Sequence, residues 1–422
     1  MRFNVINLGC RVNRVESDDI AARLTAQGWV WDSANPDAVV VNTCTVTGEA
    51  EKKTRKAVRH LLSSGNASTV VVTGCAAAID PDEFEALDER VVVVAKPLVV
   101  HYLCSLESPY TEVIASDETE VPQNAFNGAP AQTLPLRIGK GFPARVGLKV
   151  QDGCDNACTY CIVHTARGKS HSRPIAACVD EAKRLEAAGV REAVLTGINL
   201  GSFCDGSAHL PALIEQIRAA APAMRLRLSS IEPRDVDNAI IGLLASQDGM
   251  VCRHLHLPLQ SGSSRVLAQM ARPYNADEYL KLVCRIRRDV PQISFSTDII
   301  VGFPGETEQD FQDTLALARE CSFSKIHVFR YSRREGTPAA ARDDQIDSHV
   351  IAHRARELSA LGDRLRQAEA NARVGTKERI AVESNGEGMS ESYFPVRILD
   401  AEGGDLVWRT LTEWDKDGIF LT

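Results

Sequence analysis

Cys154, Cys158 and Cys161 place three thiols within the eight residues Cys154-Asp155-Asn156-Ala157-Cys158-Thr159-Tyr160-Cys161, spaced C-x3-C-x2-C, and no fourth cysteine closes the set locally. A chain with this stretch has to converge three soft thiolates on one centre, which suits an iron–sulfur cluster or zinc. A structural zinc site takes four protein ligands, and its usual form is two pairs of C-x2-C. Three thiolates instead leave one iron of a [4Fe–4S] cubane open, as a catalytic position requires.

The rest of the chain reads as alternating strands and helices. In the first third, β-branched runs at 4–7, 38–42, 69–73 and 91–95 are separated by helical stretches at 17–27, 49–62 and 82–88. That pattern predicts a parallel βαβ, Rossmann-like domain. Cys10, Cys44 and Cys75 each follow one of the first three strands, with Gly9 and Gly74 allowing tight turns. Ligands of open α/β sheets bind outside the carboxyl ends of the strands, so these three thiols should share one rim. A single such cysteine would read as a small buried apolar residue; three at equivalent positions favour a second cluster. The other six cysteines (Cys104, Cys178, Cys204, Cys252, Cys284, Cys321) share no spacing and read as core or incidental.

The stretch 116–143 is rich in Pro, Gly, Ala and acidic residues and reads as a linker. Beyond it, strand-like runs at 145–150, 191–196, 225–230, 254–257, 293–301 and 325–331 alternate with helices at 176–188, 210–221, 236–245, 276–289 and 307–320. Six βα units make a partial (β/α)6 barrel whose active site lies at the carboxyl mouth. The Cys154 loop follows the first of these strands. Residues 345–373 have dense mixed charge and read as a surface or spacer helix. The β runs at 379–383, 394–398, 406–411 and 418–421 read as a small C-terminal β-barrel. The expected division is 1–115, linker 116–143, 144–372 and 373–422.

The spacing C-x3-C-x-aromatic-C resembles that of the radical S-adenosylmethionine (SAM) enzymes. Leu8-Gly9-Cys10-Arg11-Val12-Asn13 with Glu16-Ser17, Asn42-Thr43-Cys44 and Thr73-Gly74-Cys75 resemble the N-terminal domain of the radical-SAM methylthiotransferases. The resemblance implies two [4Fe–4S] clusters, with Cys154, Cys158 and Cys161 holding the one that cleaves SAM. Cys10, Cys44 and Cys75 would hold an auxiliary cluster whose free iron carries the sulfur. It implies two uses of SAM, one methylating that sulfur and one yielding the radical that removes hydrogen from carbon 2 of an adenine. In the SAM pocket it implies Tyr160 against the adenine, Gly197 and Asn199 near the methionyl end, Glu232 on the ribose hydroxyls, and Ser229 and Gln260 on neighbouring strand ends. The loops Pro258–Gly262 and Gly302–Glu306 would complete the pocket. Gly9-Cys10-Arg11-Val12-Asn13 is similar to the branch acting on N6-threonylcarbamoyladenosine in tRNA. It is less similar to the branches acting on isopentenyladenosine or on a ribosomal protein aspartate. The C-terminal segment resembles the TRAM RNA-binding barrel.

Charge bounds the partners. Forty-eight basic against 56 acidic residues give a net charge of −8, so phosphate contact must come from local patches. From 380 onward, Arg397, Arg409 and Lys416 face nine acidic residues, which makes the C-terminal barrel a poor phosphate binder. The basic loop with Arg167, Lys169 and Arg173 is the candidate for backbone contacts. No apolar run of about 20 residues is present to span a bilayer, and the start lacks a secretory pattern. The expectation is a cytoplasmic monomer in a reducing compartment, acting on tRNA with a flavodoxin- or ferredoxin-type electron donor. Two other classes use the same thiols: a non-catalytic iron–sulfur electron-transfer protein, and a zinc-dependent RNA-binding module.

Overall fold

Runs of valine bounded by turn residues become strands, and the charged stretches between them become helices. The computed structural model describes residues 1–45, 48–64, 67–106, 145–246, 248–383 and 386–422; the expected linker, 116–143, lies outside them. The described residues fall into two units.

The first unit holds the described part of 1–138 together with Ile162–Gly168. It alternates β1 (Arg2–Asn7), α1 (Arg11–Ala26), β2 (Val30–Trp31), β3 (Ala38–Thr43), α2 (Gly48–Ser64), β4 (Thr69–Gly74), α3 (Cys75–Ile79), α4 (Pro81–Glu85), β5 (Val91–Val93) and α5 (Val99–Ser105). All five strands are parallel, in the order β2-β1-β3-β4-β5. Both faces are covered. Ile20, Leu24, Val99 and Leu103 pack on one, and Val58, Ala76 and Phe84 on the other. That is why β3 and β4 read as continuous apolar runs and not as alternating ones.

The second unit begins with β6 (Arg145–Lys149) and β7 (Gln151–Asp152); α6 (Val163–Arg167) lies among the residues of the first. It continues with β8 (His171–Ser172), α7 (Ile175–Ala187), β9 (Glu192–Thr196), β10 (Cys204–Asp205), β11 (Ala208–His209), α8 (Leu210–Ala220), β12 (Arg225–Leu228), α9 (Asn238–Ala245) and β13 (His254–His256). Then come α10 (Ser264–Gln269), α11 (Ala276–Asp289), β14 (Ser294–Val301), α12 (Glu308–Cys321) and β15 (Lys325–Arg330). Strands β6, β9 and β12 form one parallel sheet and β13, β14 and β15 another. Parallel bridges Leu226↔Val251 and Ser230↔His256 join the two in sequence order. The result is the expected six-stranded partial barrel, with its apolar core between strands and helices.

Helix α13 (Ser348–Arg373) is more than a spacer. Ala355, Leu358 and Leu361 enter the barrel core, and a Cβ at Gly362 would meet Ile326 at 3.4 Å. The dense charge of the sequence hides this narrow apolar stripe. After it, β16 (Lys377–Val382), β17 (Glu387–Ser390), β18 (Pro395–Arg397), β19 (Leu406–Thr410), β20 (Glu413–Trp414) and β21 (Phe420–Leu421) curl into a half-barrel ordered β19-β16-β17-β18-β21-β20 around Ile380, Phe394, Val396, Leu411 and Phe420.

A buried ionic group ties this half-barrel to the amino ends of β9 and β12. Glu192 accepts from Arg225 Nε at 2.8 Å and from Arg227 Nε at 2.7 Å, and all three side chains are buried. The guanidinium groups then donate to the carbonyls of Arg379, Met389, Ser390 and Glu391. Among the described residues, no helix is long and apolar enough to cross a membrane.

Candidate functional site

In the first unit the register brings the three thiols to one edge. Asn7 pairs with Asn42 across β1 and β3, and Thr43 pairs with Gly74 across β3 and β4. Cys44 and Cys75 therefore leave adjacent strands at the same level, and Cys10 sits as the N-cap of α1 three residues past Asn7. Because helices cover opposite faces on either side of β1/β3, this edge is the switch point where open α/β sheets bind ligands.

A buried amide lattice shapes the rim. Asn13 donates to Thr43 O at 2.6 Å and to Asn42 Oδ1 at 3.2 Å, while Asn42 returns bonds to Asn13 O at 2.9 Å and Ser17 Oγ at 3.0 Å. Gly74 holds φ +97° and ψ −169° beneath this lattice. That region is essentially glycine-only, and a Cβ there would lie 2.5 Å from Asn42 Oδ1 and Thr43 O. The motif residues around the cysteines are thus explained by packing as well as by turns. Cys10 is exposed, whereas Cys44 and Cys75 are buried.

Arg167 corrects an expectation. Its guanidinium is buried, paired to Glu16 at 2.9 Å, and donates to Cys75 Sγ at 3.1 Å and Asn13 Oδ1 at 2.5 Å. Glu16 also pairs with Lys96. Arg173 is likewise engaged, with Glu181 at 2.7 Å and Lys149 O at 2.7 Å. Of the three basic residues expected to meet phosphate, only Lys169 is exposed. Sequence spacing records charge but not the buried carboxylate that claims it.

In the second unit, Cys154, Cys158 and Cys161 lie in the loop beyond β6 and β7. Thr159 fixes the loop: its N–H and Oγ1 donate to Met270 O at 3.1 Å and Gln269 O at 2.8 Å, and its carbonyl accepts from Ala339 N at 2.9 Å. Tyr160 packs against Val266, Met270, Ile300, Phe303 and Ala339, and burial holds its phenol well above the ordinary tyrosine value. Burial also raises the Cys154 thiol. Arg272, which sequence reasoning missed, donates to Cys158 Sγ at 3.1 Å and pairs with Glu232. Its Nε bonds Tyr274 Oη at 3.1 Å. Burial pushes the Glu232 carboxyl up, against the pull of Arg272. The only local signal was Met270-Ala271-Arg272-Pro273-Tyr274, an ordinary-looking loop.

Gln151 connects the cysteine loop to the end of β9. Its Nε2 donates to Asp152 O, Gly153 O and Ser170 Oγ, and its Oε1 accepts from Asn199 N at 2.9 Å. A Cβ on Gly197 would lie 2.7 Å from that Oε1, so Gly197 makes room for Gln151. At the carboxyl ends of β9 and β12, four buried oxygens have no hydrogen-bond partner: Thr196 Oγ1, Asn199 Oδ1, Ser229 Oγ and Asp235 Oδ2. Buried polar atoms left so mark a place for a ligand's polar groups. Gln260 adopts φ +69°, uncommon for a residue with a Cβ, between β13 and β14, where its N–H donates to Asp298 O at 2.8 Å.

The loops after β13 and β14 are more structural than expected. Gly262 abuts the backbone of Thr314 in α12, and Glu306 is buried against Arg354 of α13 at 2.7 Å.

The thiolate sets fit [4Fe–4S] clusters by donor softness, and the four orphaned oxygens fit the amino, carboxylate and hydroxyl groups of SAM. A family model described as the Radical SAM superfamily matches residues 148–318, and one described as Uncharacterized protein family UPF0004 matches residues 2–95. The Threonylcarbamoyladenosine tRNA methylthiotransferase MtaB of Chlamydia pneumoniae is 37% identical over 387 residues, covering 90% of this chain and 86% of its own. The tRNA-2-methylthio-N(6)-dimethylallyladenosine synthase of Sphingopyxis alaskensis is 36% identical over 392 residues, covering 91% of this chain and 87% of its own. Among solved structures, the radical S-adenosylmethionine methyltransferase TsrM from Kitasatospora setae, with cobalamin and a [4Fe–4S] cluster bound, superposes with a TM-score of 0.58. That match has 16% identity over 80% of this chain and 74% of that chain, and bears on the fold alone.

Proposed function

The chain belongs to the radical-SAM tRNA methylthiotransferase family, and from that premise we propose that it places a methylthio group on carbon 2 of N6-threonylcarbamoyladenosine beside the anticodon of tRNA. The observation that carries the reading is the pair of three-thiol sets, each at the carboxyl ends of parallel strands. Cys154, Cys158 and Cys161 would hold the cluster that engages SAM, and Cys10, Cys44 and Cys75 the auxiliary one. When bound, these groups supply the electron, the radical and the methylthio sulfur.

The protein's own residues bind, orient and shield. Thr196, Asn199, Ser229 and Asp235 offer the orphaned oxygens to SAM, with Gly197, Glu232 and Gln260 on the same strand ends. Tyr160 anchors the cysteine loop in its apolar cluster. Arg272 sets a positive charge against Cys158, and Arg167 does the same for Cys75. Thiolates that must stay available to hold two clusters call for a reducing, cytoplasmic setting. A flavodoxin- or ferredoxin-type donor and a monomeric enzyme complete the proposal.

The test uses anaerobically reconstituted protein, reductant, SAM and two tRNAs, one carrying N6-threonylcarbamoyladenosine and one carrying isopentenyladenosine. Nucleoside mass spectrometry should find the methylthio product in the first tRNA. The similar identity to the dimethylallyladenosine enzyme makes the second tRNA the competing outcome. Product only there would overturn the substrate assignment while leaving the chemistry intact.

A further inference from the structure

One cluster of ligand-type side chains lies outside both cysteine sets. His256 ends β13, Asp298 lies within β14 and His327 lies on β15, where Asp298 and His327 are directly paired in register. The three alternate with Leu255, Ile299 and Ile326, which belong to the apolar core beneath the helices. They therefore share the opposite face of this sheet, toward the barrel interior.

His256 Nε2 lies 3.2 Å from Asp298 Oδ2, and one ligand atom from each of the three residues falls within 4.8 Å of the others. Two ligands on a common tetrahedral ion, each bonded at about 2.0–2.1 Å, are about 3.3 Å apart. The observed pair already has that separation. Ser296 Oγ, one pair of residues along β14, bonds His256 Nδ1 at 2.9 Å and His254 Nε2 at 2.9 Å. This leaves the Nε2 of His256 as the ligand nitrogen and fixes its ring, as an outer-shell partner does in metal sites.

We propose that His256, Asp298 and His327 bind one divalent first-row metal ion, distinct from either cysteine-held cluster. Two imidazoles and one carboxylate are a zinc or ferrous donor set, and three protein ligands leave a position for water or a substrate oxygen. The proposal does not depend on which nucleoside is modified.

Zinc is the probe. The anaerobically reconstituted protein is titrated with zinc, desalted, analysed for zinc and iron, and examined at the zinc X-ray absorption edge. The expected result is one zinc per chain more than in the Asp298→Asn/His327→Gln double variant, with iron unchanged. The zinc should show nitrogen or oxygen neighbours at about 2.0–2.1 Å and no sulfur near about 2.3 Å. Ser296→Ala, which keeps all three ligands, should weaken zinc binding about tenfold. A sulfur shell, equal zinc in the double variant, or no zinc uptake by the wild-type protein would each overturn the proposal. If the double variant also loses iron through misfolding, the Ser296→Ala comparison decides, and an unchanged zinc affinity there refutes the site.

Discussion

Replacing Gly74 with alanine should disable one cluster and spare the other. The backbone at Gly74 sits at φ +97°, ψ −169°, where a residue with a Cβ is strained by about 1–3 kcal/mol. The added methyl would also lie 2.5 Å from Thr43 O and 2.6 Å from Thr43 N. These are backbone atoms of a central strand and cannot swing away, so overpacking adds about 1–3 kcal/mol. The sum, about 2–6 kcal/mol, is a large share of the roughly 5–15 kcal/mol by which a domain is stable. The turn can relieve it only by shifting, and Cys75 is the next residue. Iron and sulfide per chain in anaerobically reconstituted Gly74→Ala should therefore fall by about half. Reductive SAM cleavage, assayed as 5′-deoxyadenosine, should stay within about twofold of wild type, because the Cys154 loop belongs to the other unit. Methylthio product should fall by about two orders of magnitude. Full iron content with undiminished product would refute the claim that this turn sets the rim.

Glu192→Gln removes the carboxylate with which buried Arg225 and Arg227 both pair and should destabilise the second unit by about 3–5 kcal/mol. Urea unfolding followed by the fluorescence of Trp408 and Trp414, with Trp29 and Trp31 changed to Phe, should show a midpoint lower by about 1 M or more; an unchanged midpoint contradicts the ionic lock. Because both arginines hold the Glu192 carboxyl far below its ordinary value, its contribution is present above the normal carboxylate range and is lost only in strong acid. Arg167→Ala should reduce the iron held by the first unit and leave the salt dependence of tRNA binding intact, whereas Lys169→Ala should lower the salt slope by at most about one unit. A flattened slope for Arg167→Ala would mean that its pairing with Glu16 opens in the complex. Burial pushes the thiols of Cys178, Cys252 and Cys321 up to about 11, 12 and 12. Thiolate is the reactive form, so iodoacetamide at pH 8 should label exposed Cys204 and Cys284 and spare these three. Equal labelling by peptide mass spectrometry would show that the barrel core opens.

Much of the architecture was legible because parallel strands under helices write themselves as uninterrupted apolar runs. The six barrel strands and the three cysteine-bearing βα turns were all visible in that way. Four strands of the half-barrel, β16, β18, β19 and β21, were visible too, whereas other short strands were not. Two-residue β2 and β20 carry no period, and β17, Glu387–Ser390, is a polar stretch with one glycine. The cysteines of both candidate sites could be read because thiol spacing is local chemistry. Arg272, Gln151 and Arg167 could not, since each acquires its role from a partner 40 or more residues away. The same lack of three-dimensional partners made the Arg167 loop read as a phosphate contact. The triad of His256, Asp298 and His327 was invisible for a related reason: its members come from three different strands.

In the proposed reaction, the radical generated in the barrel acts on the adenine whose carbon 2 receives the methylthio group. tRNA carrying deuterium at carbon 2 of its N6-threonylcarbamoyladenosine tests this directly, with 5′-deoxyadenosine and the tRNA nucleosides analysed by mass spectrometry in the same reaction. One deuterium should appear in 5′-deoxyadenosine for each methylthio nucleoside formed, and no product should form when Cys154, Cys158 and Cys161 are changed to alanine. Methylthio nucleoside formed without any deuterium in 5′-deoxyadenosine would contradict the proposed reaction.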